Sequence, residues 1–132
     1  MFLKVYLCLD DRGGLLFNGR RLSRDREVIT HMLHMTKGGK LWVHPYSADL
    51  FPVDAVLAEA DYLEKADMDD YCFLEKGEIP QNLQSVILYH WNRTYPATEH
   101  FPKEILQTMN RVSQEEIPGY SHEKITVERY IL

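Results

Sequence analysis

The sequence predicts an α/β fold with a mixed, mainly parallel central sheet, flanking helices and a C-terminal antiparallel hairpin. Short runs rich in β-branched and aromatic residues are typical of strands, and several here are apolar throughout, as strands covered on both faces tend to be. These runs alternate with helical stretches in the first half of the chain, which indicates parallel crossovers. The last two runs follow one another through Ile117-Pro118-Gly119, which indicates a hairpin.

Seven strands and three helices follow from this pattern. The strands are predicted at residues 2–9, 40–44, 54–57, 71–74, 86–91, 109–115 and 125–130. The clearest helix covers residues 25–35, where Val28, Met32 and Met35 share one apolar stripe and Gly38-Gly39 ends it. Ser23 is predicted to cap this helix. Shorter helices are predicted at residues 47–51 and 61–66.

The composition is typical of a single cytoplasmic domain that spans residues 1–132. No stretch approaches the roughly 18 apolar residues that a membrane-spanning helix needs. Cys8 and Cys72 lie inside apolar runs and match no metal or redox spacing, which favours buried thiols in a reducing compartment. The net charge of −5 argues against a nucleic-acid partner, because such binding depends on a basic surface.

Arginines crowd into the segment just before the helix predicted at residues 25–35. Arg20, Arg21 and Arg24 form the centre of this group. Guanidinium groups suit carboxylates and phosphates, so the group is a candidate site for an anionic small molecule. A solvated rim is the ordinary explanation for the same residues.

Asp25 is the best catalytic candidate. A carboxylate that faces an apolar cavity is expected to have a raised pKa, and it can then pass a proton to a heterocycle nitrogen. An acid in the first turn of a helix also complements the helix dipole without any catalytic role. No metal site is predicted, since His31 and His34 lie one turn apart without a third ligand at a recognisable spacing. The sequence shows neither a phosphate-binding glycine loop nor a serine elbow.

Four motifs, in order, resemble the dihydrofolate reductase family. The chain shows an acidic pair and a glycine loop that closes on Asn18, then a carboxylate at Asp25 in the first turn of a helix. The later motifs are Leu88-Tyr89-His90-Trp91, followed by Glu99-His100-Phe101-Pro102, and the polar segment Ser121-His122-Glu123-Lys124. The resemblance spans nearly the whole chain and implies a dihydrofolate-reductase-like fold.

The resemblance also implies a pterin-like substrate beside Asp25 and NADPH as the cofactor. The substrate-binding positions that it implies are Val5, Tyr6, Leu7, Ile29, Leu74 and Tyr89. The cofactor-binding positions that it implies are Asn18, Gly19 and Ser47.

Three departures from the family pattern affect these expectations. The tryptophan that precedes the acid in the family is missing from Arg20-Arg21-Leu22-Ser23. His44-Pro45-Tyr46-Ser47 stands where the family has Gly-Arg-x-Thr, so the guanidinium beneath the cofactor phosphates is lost. Glu75-Lys76 replaces a Gly-Gly turn, and residues with Cβ atoms are expected to obstruct the cofactor.

Three functional hypotheses follow. The first is a divergent NAD(P)H-dependent reductase of a pterin-like or other small heterocycle. The second is a non-catalytic module that binds an anionic metabolite on the same fold, with the arginine group as its anchor. The third is a homodimer that associates through surface aromatics such as Trp91 and Tyr95.

Overall fold

The computed structural model describes residues 2–132, and its centre is a seven-stranded sheet. The strands are β1 (Leu3–Leu9), β2 (Gly14–Phe17), β3 (Arg20–Arg21), β4 (Leu41–Val43), β5 (Leu57–Ala58), β6 (Tyr71–Phe73), β7 (Leu83–His90), β8 (Glu99–His100), β9 (Asn110–Pro118) and β10 (Lys124–Ile131). The helices are α1 (Arg26–Met35) and α2 (Tyr62–Lys65), with 3-10 segments at Pro45–Leu50 and Lys103–Thr108.

The strand order in the main sheet is β5-β4-β6-β1-β7-β10-β9. Neighbours from β5 to β7 are parallel, whereas β10 pairs antiparallel with both β7 and β9. The predicted fold class is confirmed, including the C-terminal hairpin. None of the helices within residues 2–132 has the length and hydrophobicity that a membrane-spanning segment requires.

Each face of the sheet carries its own hydrophobic core. Alternation along β1 sends Val5 and Leu7 to the core beneath α2 and the 3-10 segment Lys103–Thr108, while Tyr6 points to the core beneath α1. In the second core, Val28 and Met32 of α1 pack against the sheet, as the apolar stripe predicts, whereas Met35 of the same predicted stripe is exposed at the end of the helix. Burial on both faces explains why β1 and β7 are almost continuously apolar.

Asp25, and not Ser23, is the N-cap of α1. The Oδ1 atom of Asp25 accepts a hydrogen bond of 2.9 Å from the backbone N–H of Glu27, and the Asp25 backbone is extended. This satisfies one of the free N–H groups of the first turn, which is the physical role of an N-cap. The prediction of Ser23 as the cap is therefore wrong, and its hydroxyl is available for other contacts.

A second, three-stranded sheet was not predicted. Asn18 and Gly19 form the two-residue turn between β2 and β3, with φ angles of 50° and 77°. Positive φ at both central residues is typical of the tight hairpin turn for which Asn-Gly is favoured. The strand predicted at residues 54–57 is also misplaced, because Asp54 adopts a φ of 67° in a turn and β5 begins at Leu57.

Gly39 is expected to be intolerant of any side chain. A Cβ atom there would overlap the backbone carbonyl oxygen of Asp69, whereas one at Gly38 would meet nothing within 4 Å. We therefore expect Gly39→Ala to lower the free energy of unfolding by about 1–3 kcal/mol, the usual cost of overpacking. Gly38→Ala is the matched control and should be neutral or slightly stabilising. Urea denaturation of both variants measures the difference, and equal midpoints would contradict the expectation.

Candidate functional site

The candidate site lies at the carboxyl ends of β1, β6 and β7, the edge where open α/β sheets bind their ligands. Residues 21–24 and the start of α1 cover this edge. A cavity beside Asp25 has a volume of about 10 Å³, and a second cavity of about 10 Å³ lies next to it. The two cavities share four lining residues, namely Cys8, Ser23, Glu75 and Trp91. Each has room for about one water molecule, so the cleft formed by these two cavities is closed.

Asp25 is buried, and five donors surround its carboxylate. Besides the N–H of Glu27, the backbone N–H groups of Tyr120, Ser121 and His122 donate to it at 2.8–3.0 Å. The fifth donor is the Nδ1 atom of His122, at 2.9 Å from Oδ2. The turn between β9 and β10 therefore closes over the carboxylate and excludes solvent from it.

The pKa of Asp25 is lowered, which contradicts the raised pKa expected from the sequence. Burial alone raises the pKa of this carboxyl group, but the hydrogen bonds from His122 and from the backbone N–H groups outweigh burial. Asp25 is therefore held as a carboxylate. It is poorly suited to give a proton to a substrate, although it can orient a neighbouring group.

His122 connects Asp25 to two hydroxyl groups. Its Nε2 atom lies 3.1 Å from the Oγ atom of Ser23 and 3.1 Å from the phenol oxygen of Tyr95. The imidazole stacks on the indole of Trp91, with ring centroids 4.7 Å apart and an angle of 22°. Trp91 is only 4% exposed, so the expectation that it forms a surface aromatic patch is wrong.

Tyr89 lies on the same side of the sheet as Asp25 but does not line the cavity beside it. Tyr89 is fully buried, stacks on Tyr6 with centroids 6.3 Å apart, and has its hydroxyl 2.8 Å from the Nδ1 atom of His31. Burial raises the pKa of Tyr6 to about 12 and also raises the pKa of Tyr89. Both phenols are core groups.

The other predicted substrate residues are divided between the two faces of the sheet. Ile29 lines the cavity beside Asp25, and Leu74 lines the neighbouring cavity. Val5 and Leu7 are fully buried in the opposite core, so the prediction that they share a pocket with Asp25 is wrong. The period-2 alternation of β1 is the physical reason, since it separates these residues from Tyr6.

Glu75 occupies the side of the cleft that was predicted for the cofactor. Its carboxylate accepts two hydrogen bonds of 2.9 Å from the guanidinium of Arg21 and one of 2.8 Å from the hydroxyl of Ser47. The guanidinium also lies over the ring of Tyr46, with the Nζ atom of Lys76 4.1 Å from the centre of the same ring. We call Arg21, Ser47 and Glu75 the Glu75 cluster. Glu75 therefore engages the Ser47 hydroxyl, which was predicted to bind a cofactor, and the Arg21 guanidinium, which was predicted to bind an anion.

The remaining predicted residues lie at the rim. Arg20 and Arg24 are exposed, and Arg24 lines the cavity beside Asp25. Asn18 and Gly19 form the outer hairpin turn, where the backbone N–H of Asn18 donates to the hydroxyl of Thr98 at 2.9 Å. Across residues 2–132, no group of three or more His, Cys, Asp or Glu side chains could hold a metal ion.

The fold is similar to that of a solved dihydrofolate reductase. The protein is the enzyme from Enterococcus faecalis, complexed with NADP(H) and RAB-propyl. The TM-score is 0.66 with 12% sequence identity, and the match covers 98% of this chain and 95% of that chain. No family model matches the sequence, and the search of curated proteins finds no match. At this identity the likeness shows the fold alone, which is dihydrofolate-reductase-like.

Two residues of the site received no functional role from the sequence. His122 belongs to a polar segment before the last strand, where capping or pairing with Glu123 is the ordinary explanation. Glu75 was identified only as an obstruction to the cofactor, because nothing in its local sequence indicates that Arg21 and Ser47 bind it. Their contacts join residues that are 28 to 99 positions apart, so no local pattern reveals them.

Proposed function

We propose that this protein binds a small anionic molecule in the cleft beside Asp25 and does not catalyse dinucleotide-dependent hydride transfer. The observation that carries the proposal is the Glu75 cluster. The Glu75 carboxylate occupies the position where the resemblance brings the dinucleotide close to the backbone, and it already engages the Arg21 guanidinium and the Ser47 hydroxyl that would otherwise be free for pyrophosphate. Hydride transfer requires two ligands held edge to edge, and the closed cleft has space for neither.

The anionic class of ligand is supported by the charges at the mouth of the cleft. Arg24 is exposed beside the apolar wall formed by Val28, Ile29 and Phe73, and Arg20 is exposed in β3, next in sequence to Arg21 of the neighbouring cavity. A guanidinium at the mouth of an apolar cavity suits a small carboxylate or phosphate that carries an apolar group. Such a ligand requires the segment around Arg21 to move outward, which breaks the contact of Arg21 with Glu75.

A thermal-shift screen of small carboxylates and phosphates tests this proposal. A ligand at one hundred times its dissociation constant adds about 2.7 kcal/mol to the free energy of unfolding, which gives a clear rise in melting temperature. The double variant Arg20→Gln, Arg24→Gln should lose the shift. Arg93→Gln, which removes an exposed arginine outside the cleft, should keep it. A shift that survives in the double variant would refute the role of the arginines.

A divergent reductase of a pterin-like heterocycle is the second candidate. It is favoured by the structural neighbour, which is complexed with NADP(H), and by the carboxylate at the start of α1. NADPH would supply the hydride, and its binding would require the Glu75 cluster to open.

A titration with NADPH separates the two candidates, and we expect no change in tryptophan fluorescence. Trp91 lines both cavities, so its fluorescence should respond to any ligand that enters the cleft. The prediction is no saturable change at millimolar NADPH, because the Glu75 cluster opposes the cofactor phosphates. An authentic dihydrofolate reductase under the same conditions is the positive control. Saturable quenching that a nucleotide competitor reverses would favour the reductase instead.

A further inference from the structure

Three side chains beside the closed cleft form a continuous relay of hydrogen bonds. The Oγ atom of Ser23 lies 3.1 Å from the Nε2 atom of His122, and the Nδ1 atom of His122 lies 2.9 Å from the Oδ2 atom of Asp25. A serine, a histidine and a buried carboxylate in this order are the components of a nucleophilic triad, which is recognised by geometry and not by sequence position. We propose that Ser23, His122 and Asp25 form such a triad and hydrolyse small carboxylic esters.

Asp25 acts in this proposal as a positioning residue. Its side chain is completely buried, and the backbone N–H groups of Tyr120, Ser121 and His122 hold the carboxylate in one orientation. A carboxylate accepts hydrogen bonds and donates none, so the Nδ1 atom of His122 carries the proton in this contact. The lone pair of neutral His122 is then on Nε2 and points towards Ser23, as a general base requires.

The surroundings of His122 fix its ring and provide a second donor. Trp91 stacks on the imidazole, and the phenol of Tyr95 shares the Nε2 atom with Ser23 at the same distance of 3.1 Å. Asp25 and Tyr95 are the titratable side chains in contact with this ring. Once an ester carbonyl lies against Ser23, the Tyr95 hydroxyl is a donor for the developing oxyanion.

The chemical steps balance with water as the only co-reactant. The Ser23 oxygen attacks the ester carbonyl carbon, and its proton passes to the Nε2 atom of His122. The carbon–oxygen bond to the alcohol then breaks, and the leaving oxygen takes that proton. Water attacks the acyl-serine, again giving its proton to His122, and the proton returns to Ser23 as the carboxylic acid leaves.

The substrate class follows from the space on either side of Ser23. Ser23 borders both cavities, each with room for about one water molecule, so even a small acyl group requires the cleft to open, and a small acyl group requires the least opening. Arg24 at the mouth favours an ester with a negative charge on its far end, and it would attract the carboxylate product. This inference rests on the proposed function, because the same cleft must admit a small molecule.

Covalent labelling of the full chain by a fluorophosphonate tests the triad. This reagent phosphonylates an activated serine, so we expect a single adduct on Ser23 in the intact mass and peptide maps. Ser23→Ala should abolish the adduct, and His122→Gln should slow its formation by at least about 100-fold, the usual contribution of a general base. Ser113→Ala, which removes an exposed serine on β9, is the control and should label like the wild type. Circular dichroism of each variant shows whether it is folded.

Hydrolysis of p-nitrophenyl acetate supplies a readout that a purely structural hydrogen bond would not affect. The wild type should show a pre-steady-state burst of nitrophenolate and a pH–rate profile with one ionisation, and both should vanish in Ser23→Ala. Absence of any adduct in folded wild type, or an adduct that persists in Ser23→Ala, would overturn the triad. In that case an anion-induced thermal shift would still support the binding function. An adduct on Ser23 without any anion-induced shift would support the triad and refute the anionic ligand.

Discussion

Asp25→Asn is expected to lower the free energy of unfolding by roughly 3 kcal/mol, because it leaves buried hydrogen-bond donors without their acceptor. Asparagine keeps one oxygen, but its amide N–H₂ group would face the backbone N–H groups that the carboxylate now accepts. The buried imidazole of His122 would also lose its acceptor. Urea denaturation at neutral pH measures the effect.

Asp61→Asn is the matched control for this substitution. Asp61 is the N-cap of α2, but its side chain makes no capping hydrogen bond, and its contact with Lys65 is exposed. Exposed pairs of this kind contribute about 0–1 kcal/mol, so Asp61→Asn should change the free energy of unfolding by about 1 kcal/mol or less. Equal losses in the two variants would show that the five donors around Asp25 do not act as proposed.

The destabilisation caused by Asp25→Asn is predicted to depend on pH. The pKa of Asp25 is lowered in the folded state, so its contribution to stability is fully present above the unfolded aspartate pKa of about 3.9. The contribution is lost as the pH falls through the folded value. The stability difference between wild type and Asp25→Asn should therefore shrink below about pH 4, whereas a difference that stays constant down to pH 2 would contradict the lowered pKa. Asp10 and Asp70, whose pKa values are also lowered, are present in both proteins and cancel.

Arg21 and Glu75 are expected to be strongly coupled, and this is the second large effect. Their side chains are 14% and 10% exposed and share two hydrogen bonds of 2.9 Å. We expect Arg21→Met and Glu75→Gln each to destabilise the protein by about 3 kcal/mol, because each leaves a largely buried charge without its partner. The double variant should lose less than the sum of the two, with a coupling energy of about 1–3 kcal/mol.

A double-mutant cycle on the exposed pair Lys124 and Glu116 is the control for the cycle on Arg21 and Glu75. These two residues lie 3.4 Å apart with side chains that are 64% and 56% exposed. Solvent screening limits such a pair to about 1 kcal/mol or less. Equal coupling energies in the two cycles would contradict the proposal that the Glu75 cluster is stable enough to exclude a dinucleotide.

The elements that were predicted correctly are those with a strong local period. The stripe of Val28 and Met32 places α1, and the apolar runs of β1 and β7 place the two central strands. Side-chain burial on one face of a helix, or on both faces of a strand, requires these residue types at these spacings. The errors occur where turn chemistry decides, as in the Asn18-Gly19 hairpin turn and the turn at Asp54.

The candidate site was predicted less completely, and Asp25 shows why. Its place at the start of a helix identified it as a functional carboxylate, but the direction of its pKa depends on donors 95 to 97 residues away. Arg21 was likewise predicted to bind an anion, but in the structure its guanidinium binds the carboxylate of Glu75, which lies 54 residues away in the sequence.

The α/β class, the main strands and the longest helix follow from the order of the residues, because their periodic burial is a property of neighbouring residues. The closure of the cleft, the five hydrogen-bond donors around the Asp25 carboxylate and the contact between Ser23 and His122 come from the packing of the folded chain. These features depend on hydrogen bonds between distant segments. Their strength comes from burial that no short stretch of sequence can specify.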